Sequence, residues 1–413
     1  MKKLVIVFLT FFALTANAQS DMQWATTWAT APEFTGKGDM PQTTELTDCS
    51  LREIIHVGFG GNQLRMQLSN EFSKEPVEIK SIYIADLAAD ENGRSDLPGT
   101  DYTAIVKRTA RYLTFGGKRS VTIQPGETVF SDAAKYALKP LQRLSVTIFY
   151  GKTPVNATSH RGSRTTSYIM KGEAKPGKRF NVFEKLDHWY NICALDILGG
   201  GNECIPAIGN SITDGRGTTT NLQNRWTDIA NEHLLGHEGA QPTRYSVVNL
   251  GIGGNCVVRG GLSEPAVKRF DRDVMGQRQF NYIIVYEGIN DIGGSAGRSE
   301  QVAKNLIDAY KTFIEKAHKR GVKVLMGTIL PFGKCFYDDG NLFKEACRQT
   351  VNQWMRTSKE VDGVIDFDQL MRDPQQPSQL REEWQEDWLH PNAKGYEAMG
   401  RFAAERIKEL TVQ

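Results

Sequence analysis

The sequence carries no P-loop, no G-x-G-x-x-G and no Cys-x-x-Cys pair, so nucleotide cradles, dinucleotide sites and dithiol chemistry have no sequence support. Beyond the first residues no apolar run is long enough to span a bilayer. Neither sign of charge dominates: 50 Lys and Arg stand against 48 Asp and Glu. Removing Lys2 and Lys3 with the leader described below leaves 48 of each, which gives no pull toward nucleic acid or an anionic membrane. Cysteine is sparse and irregularly spaced (Cys49, Cys193, Cys204, Cys256, Cys335, Cys347), in a chain long enough to bury a core without staples. Cys335 with Cys347 is the local pair to test for a bridge, and Cys256 reads as a small buried apolar residue.

What is present begins with a leader. Lys2 and Lys3, the apolar Leu4–Leu14 and Ala16-Asn17-Ala18 have the form of a signal peptide cleaved before Gln19, so residues 1–18 are expected to be removed and the protein to be exported, periplasmic or secreted. From about residue 22 to 198, short β-type runs recur between turns: Ile54–Phe59, Gln63–Leu68, Val77–Ile84, Tyr102–Val106, Ser120–Ile123 and Arg143–Phe149. They predict an antiparallel β-sandwich over 19–198. From residue 199 to 413 strands alternate with helices, Ser299–Lys319 and Leu342–Thr357 among them, with strands at Val322–Gly327 and Gly363–Phe367. That alternation predicts an α/β fold, a parallel sheet flanked by helices with its site at the carboxyl ends of the strands.

The apolar run Ile205-Pro206-Ala207-Ile208 stops at Gly209, Ser211 follows, and an amphipathic helix with Trp226, Ile229, Ala230 and Leu234 on one face comes next. Strand, turn, serine, helix presents a nucleophile at a sheet edge, although such a serine more often caps a helix. A serine also needs a base, and the base needs a group that fixes its tautomer. Asp387-Trp388-Leu389-His390-Pro391-Asn392 offers both, because an aspartate three residues before a histidine can reach its Nδ1 and leave Nε2 for the serine. Pro391 suits the first position of the closing helix, which puts His390 at its cap. Tyr245–Leu250 runs into Gly251-Ile252-Gly253-Gly254-Asn255, and Phe280–Tyr286 runs into Glu287-Gly288-Ile289-Asn290-Asp291. Both loops end at the same sheet edge as Ser211 and could donate N–H groups to an oxyanion, though either alone reads as an ordinary turn.

In this order, GNSITDG, NLGIGGN, GIND and DWLHPN resemble the consensus blocks of the SGNH (GDSL-like) hydrolase superfamily. The resemblance covers about residues 200 to 413 and implies a flavodoxin-like hydrolase domain. It implies Ser211 as nucleophile, His390 as base and Asp387 as its orienter. The Ser211 and Gly254 N–H groups and the Asn290 amide are the implied oxyanion hole. Asn210 departs from the family, which usually has aspartate before the serine, and this bears on how the loop is braced. The opening WATTWATAP looks like the start of an arylesterase/acylhydrolase-like subgroup with an N-terminal β-sandwich, linked to polysaccharide deacetylation.

Other motifs compete. Gly293-Gly294-Ser295-Ala296-Gly297 fits G-x-S-x-G, but it trails its strand by a whole loop, whereas a nucleophile elbow follows its strand directly. His233 and His237 stand four apart without an HExxH frame and read as surface or capping residues rather than metal ligands. Trp24 and Trp28 read as core or domain-contact residues before sugar platforms. His160-Arg161-Gly162-Ser163-Arg164 reads as a solvated polar loop, and the first 198 residues are expected to supply no triad or oxyanion group.

The expected function is a serine esterase that hydrolyses short acyl esters through an acyl-serine, most simply acetyl groups on plant or other polysaccharides. Its partners are an acylated carbohydrate or small ester, with no nucleic acid and no integral membrane segment, and it needs no metal or organic cofactor. The same triad could serve a lipase, lysophospholipase or thioesterase, since it fixes the bond chemistry and not the acyl length. From another class, the chain could be a catalytically silent carbohydrate-binding protein.

Overall fold

Alternating burial shows how the first half of the chain is built. Along Gly61–Ser69 the side chains of Leu64, Met66 and Leu68 are buried while Gln63, Arg65 and Gln67 are more open, the period of a strand with one face on a core. A computed structural model describes residues 23–43, 45–88, 102–236, 239 and 241–411. The expected leader at 1–18 lies outside the described residues, as does His237.

Two large antiparallel sheets form most of this half, beside a two-stranded one of Ser159–His160 and Trp189–Tyr190. One joins Trp24–Ala29, Ile192–Leu198, Gly61–Ser69 and Thr128–Phe130, with Ala134–Leu138 also on Gly61–Ser69. The other runs Glu184–Leu186, Ser167–Lys171, Cys49–His56, Arg143–Tyr150, Val77–Asp86 and Arg111–Tyr112, with Val121–Ile123 also on Val77–Asp86. Leu51, Ile55, Ile82 and Val146 of the larger sheet share one core with Leu64, Met66, Leu195 and Ile197 of the smaller. Tyr102–Val106 is not the strand its pattern suggested. It makes only an isolated bridge between Ile105 and Leu87, and Tyr102 packs with Ile54, Tyr168 and Phe180 in a separate small cluster.

The second half is a five-stranded parallel sheet in the order Tyr245–Gly251, Glu203–Gly209, Tyr282–Tyr286, Lys323–Gly327, Gly363–Ile365. In chain order that is 2-1-3-4-5, the doubly wound order whose switch point lies beside the first strand, where a crevice opens at the strand carboxyl ends. The helices Trp226–Leu234, Ser299–His318, Leu342–Thr357 and Ala393–Thr411 bury Trp226, Leu306, Val351 and Tyr396 against it.

The two halves are pressed together through the smaller of the two large sheets. Ala29, Ala31 and Ala194 belong to the core of the parallel sheet, whereas Trp28, Leu195 and Ile197 belong to the sandwich core. Small side chains on the shared side permit close approach. At Gly58 an added Cβ would sit 1.9 Å from Ser246 Oγ. Trp28 is therefore a core residue, edge-on to Trp189 at 5.1 Å, and Trp24 is half-buried under the Arg65 guanidinium. All six cysteines are free and buried, so Cys335 and Cys347 form no bridge. Burial pushes the Cys256 thiol up to about 12, in keeping with a small apolar role.

Candidate active site

Ser211 follows the end of the strand Glu203–Gly209 by two residues. Asn210 caps the short helix Ser211–Asp214, its Oδ1 accepting from Ile212 N–H at 3.0 Å. This bond needs only a side-chain oxygen, so asparagine serves here as aspartate could. As the first residue of that helix, Ser211 has a backbone N–H with no acceptor within the helix, which frees it for an external oxygen.

The base arrives from the far end of the chain. Ser211 Oγ lies 2.8 Å from His390 Nε2. His390 Nδ1–H donates to Asp387 Oδ2 at 2.9 Å. Asp387 Oδ1 also accepts the Leu389 and His390 backbone N–H groups at 3.1 and 2.8 Å. The carboxylate folds back this tightly because Trp388 takes φ 63°, a left-handed conformation that is strained for a bulky side chain. Pro391 is not the first helical residue. The helix begins at Ala393, and Asn392 Oδ1 caps it by accepting from Lys394 and Gly395 N–H. His390 thus lies before the cap, held by Asp387 and not by a helix end.

Burial lowers the basicity of His390, and Arg216 lowers it further, against the raising pull of Asp387. Burial also works against the Asp387 charge, but the hydrogen bonds from His390 outweigh it and hold that carboxyl below its ordinary range.

The two loops meet at the same place. Gly254 and Asn290 line, with Ser211 and His390, a cleft of about 590 Å³. Gly254 has φ +69°, and a Cβ there would meet Leu262 at 2.7 Å, so glycine is required twice over. The Asn290 amide is oriented from both ends: Tyr337 O–H donates to Oδ1 at 2.9 Å, and Nδ2 donates to Asn255 O at 2.7 Å. One Nδ2 hydrogen remains for a ligand. Asn255 in turn accepts from the buried Arg269, whose other nitrogens reach the Leu250 and Gly209 carbonyls, so one guanidinium ties together the ends of two strands. Tyr337 and Arg269 have no motif of their own in the sequence.

The His160–Arg164 segment is not a solvated loop. It is pressed between the halves of the molecule, and Gly162 lies so close that a Cβ would stand 2.0 Å from Asp214 Oδ2. Arg164 donates to the same oxygen at 2.8 Å. His160 is buried, with Nε2 2.9 Å from Asp214 Oδ1 and Nδ1 2.9 Å from Ala31 O, so both ring nitrogens face acceptors and the ring is an imidazolium. Burial disfavours that charge, yet Asp214 and Glu33 prevail and hold His160 above its ordinary value. Asp214 sits below its own ordinary value for the converse reason. Removing one member of such a buried ion pair typically costs about 3–5 kcal/mol, because the other charge is left stranded. From this half Arg164 reaches the cleft. The sequence signal was the coincidence of His, Arg and Gly in one short run. Its charges meant ion pairing rather than solvation.

The competing motifs fall elsewhere. Ser295 is buried, its Oγ 3.2 Å from Ser299 Oγ. His233 lies in the last turn of Trp226–Leu234. Among the described residues no group of three His, Cys, Asp or Glu could hold a metal ion.

Residues 207–398 match the GDSL-like Lipase/Acylhydrolase family. The second half of this chain carries a GDSL-like acylhydrolase domain. The chain is also similar to a solved carbohydrate acetylesterase family member from Sinorhizobium meliloti, at 14% identity and TM-score 0.40, over 51% of this chain and 100% of that one. A GDSL-like lipase from Bacteroides thetaiotaomicron is similar at 17% identity and TM-score 0.37, over 50% and 88%. No curated protein matches the chain. In the GDSL-like domain Ser211, Gly254, Asn290 and His390 come from four separate segments of the chain, and all line one cleft. The family supports ester hydrolysis as the general activity.

Proposed function

We propose that this protein is an exported serine esterase that removes short acyl groups, acetyl first among them, from carbohydrate. The observation that carries the reading is the relay from Ser211 through His390 to Asp387, opening on the cleft that Asn290 and Gly254 share. Ser211 Oγ attacks the ester carbonyl as His390 Nε2 takes its proton, and the carbonyl oxygen gains negative charge beside the Ser211 and Gly254 N–H groups and the Asn290 amide. His390 passes the proton to the departing alcohol, leaving an acyl-serine. Water, deprotonated by His390, then releases the acid and restores Ser211. Asp387 keeps the proton on Nδ1, so that Nε2 is always the basic nitrogen.

A short acyl group suits the cleft walls. Glycines 253, 254 and 261 and three arginines line much of it, and the exposed Leu262 and Phe336 are its main apolar contributions. A panel of acetylated glycans and of nitrophenyl esters of increasing chain length tests the reading. Acetate release with a steep fall beyond short chains is expected. A preference for long chains would make the protein a lipase or thioesterase, and no turnover on any ester would leave a silent binding protein.

The base also sets the pH dependence. His390 acts only when neutral, and its pKa lies below the ordinary 6.5. The acid limb of kcat/KM therefore falls below pH 6.5, and activity is lost as pH drops through it. Arg216→Gln removes a cation that opposes protonation of His390, so the limb moves to higher pH. A kcat/KM–pH profile of both proteins on one neutral ester checks the sign, and a limb shifted downward in the variant contradicts it.

A further inference from the structure

Three arginines border the cleft that holds Ser211: Arg164, Arg216 and Arg259. The single acidic residue on its wall is Asp387, already engaged with His390. Arg164 is balanced by Asp214. Arg216 and Arg259 are exposed, and neither has a carboxylate at ion-pair distance among the described residues. Arg259 gives one Nη2 hydrogen bond, to Asn290 O at 2.8 Å, which leaves most of its donor fork open beside the amide of the oxyanion site.

This concentration of charge is local. The chain carries 50 basic and 48 acidic residues in all, so a cleft lined by three arginines and one aspartate is not a sample of a basic surface. Like charges gathered in one concavity repel one another, and field lines between low-dielectric walls draw anions in. Guanidinium forks match planar or tetrahedral oxyanions in two-point contacts. The loop bearing Arg259 is also held in place from the first half of the molecule, where Arg161, whose Nε and Nη2 both donate to Glu33 Oε2, donates to Leu262 O at 3.3 Å.

Resting on the esterase reading above, we infer that the natural substrate is an acyl ester carrying its own oxyanion, a carboxylate or sulfate near the acylated hydroxyl, which Arg216 and Arg259 bind. An acylated acidic sugar has this form. Phe336, exposed at the rim with its ring 4.2 Å from that of Tyr337, offers a flat apolar face for the sugar ring beside the charged pair. Binding the anion also neutralises Arg216, whose charge holds down the basicity of His390. The correct substrate thereby strengthens the base that attacks it.

The test compares matched pairs on the full-length protein. One pair is an O-acetylated uronic acid methyl glycoside and its neutral uronate methyl ester. The other is an O-acetylated hexose 6-sulfate and its unsulfated parent. The anionic member of at least one pair should have a kcat/KM about 10- to 100-fold higher, the worth of a charge-assisted hydrogen bond or two. The pair that shows the preference tells carboxylate from sulfate. The preference should shrink in about 0.5 M NaCl, where exposed charges are screened, and collapse in Arg216→Gln combined with Arg259→Gln. Should that variant not fold, competitive inhibition of the unmodified protein by free galacturonate or inorganic sulfate, and not by glucose, reads the same site. Equal rates within both pairs together with no inhibition overturn the inference while leaving the esterase intact. No turnover of any of these esters, nor of 4-nitrophenyl acetate, removes the esterase reading and the inference with it.

Discussion

Ser211→Ala lowers kcat on a small acetyl ester by an expected factor on the order of 10⁴ or more, with the protein still folded. The magnitude follows from what the substitution leaves behind. His390 keeps its bond to Asp387 and the cleft keeps its shape, but no atom remains to form the acyl intermediate, and only binding and oxyanion stabilisation survive. Among the described residues the lost oxygen hydrogen-bonds to His390 alone, so the variant should unfold at nearly the temperature of the parent. Steady-state rates beside a thermal melt decide the matter. Full activity, or an equal loss in Ser295→Ala, would transfer the nucleophile elsewhere; the burial of Ser295 against Ser299 makes the second outcome hard to reconcile with this structure.

Asn290→Ala should cost about 10² to 10³ in kcat with little change in KM, since an oxyanion donor contributes chiefly once charge has developed on the oxygen. The structure adds a reason to expect the upper part of that range. Tyr337 and the Asn255 carbonyl hold the amide in one orientation, so its remaining hydrogen is aimed before substrate arrives and no reorganisation is needed at the moment of reaction. A variant that changes KM alone would make Asn290 a substrate-binding group instead. Because the truncation also leaves the Asn255 carbonyl and the Tyr337 hydroxyl without a partner, stability should be measured together with kcat.

The sheet and its site were legible in the sequence for one physical reason. Buried parallel strands are continuous apolar runs, and each ends at a glycine or a polar residue next to one, so Gly209, Gly251 and Glu287 could be placed at one edge by counting crossovers. The Asp387–His390 contact lies within four residues and needed no fold to be seen. Contacts that join distant segments left no such mark. Arg269, Tyr337 and His160 act through partners as far as 129 residues away, and their role lies in three-dimensional placement rather than in spacing. In Tyr102–Val106 only Tyr102 joins an outer cluster and only Ile105 makes a bridge, and periodicity alone cannot tell such a segment from a strand.

The clamp on Asp214 bears on how the molecule comes into being. Ser211 and His390 are 179 residues apart in sequence, and the helix that starts at Ser211 ends on an aspartate gripped by residues 50 and 54 positions earlier. Contacts of such long sequence separation close late, after the loop entropy between them has been overcome. A chain emerging from synthesis or from an export channel would thus present a serine and its neighbouring strand well before the cationic wedge of the earlier half has seated, and before the closing helix has delivered its histidine. The proposed ester cleavage then belongs only to the finished molecule, since a half-assembled chain lacks the pairing of Ser211 with His390.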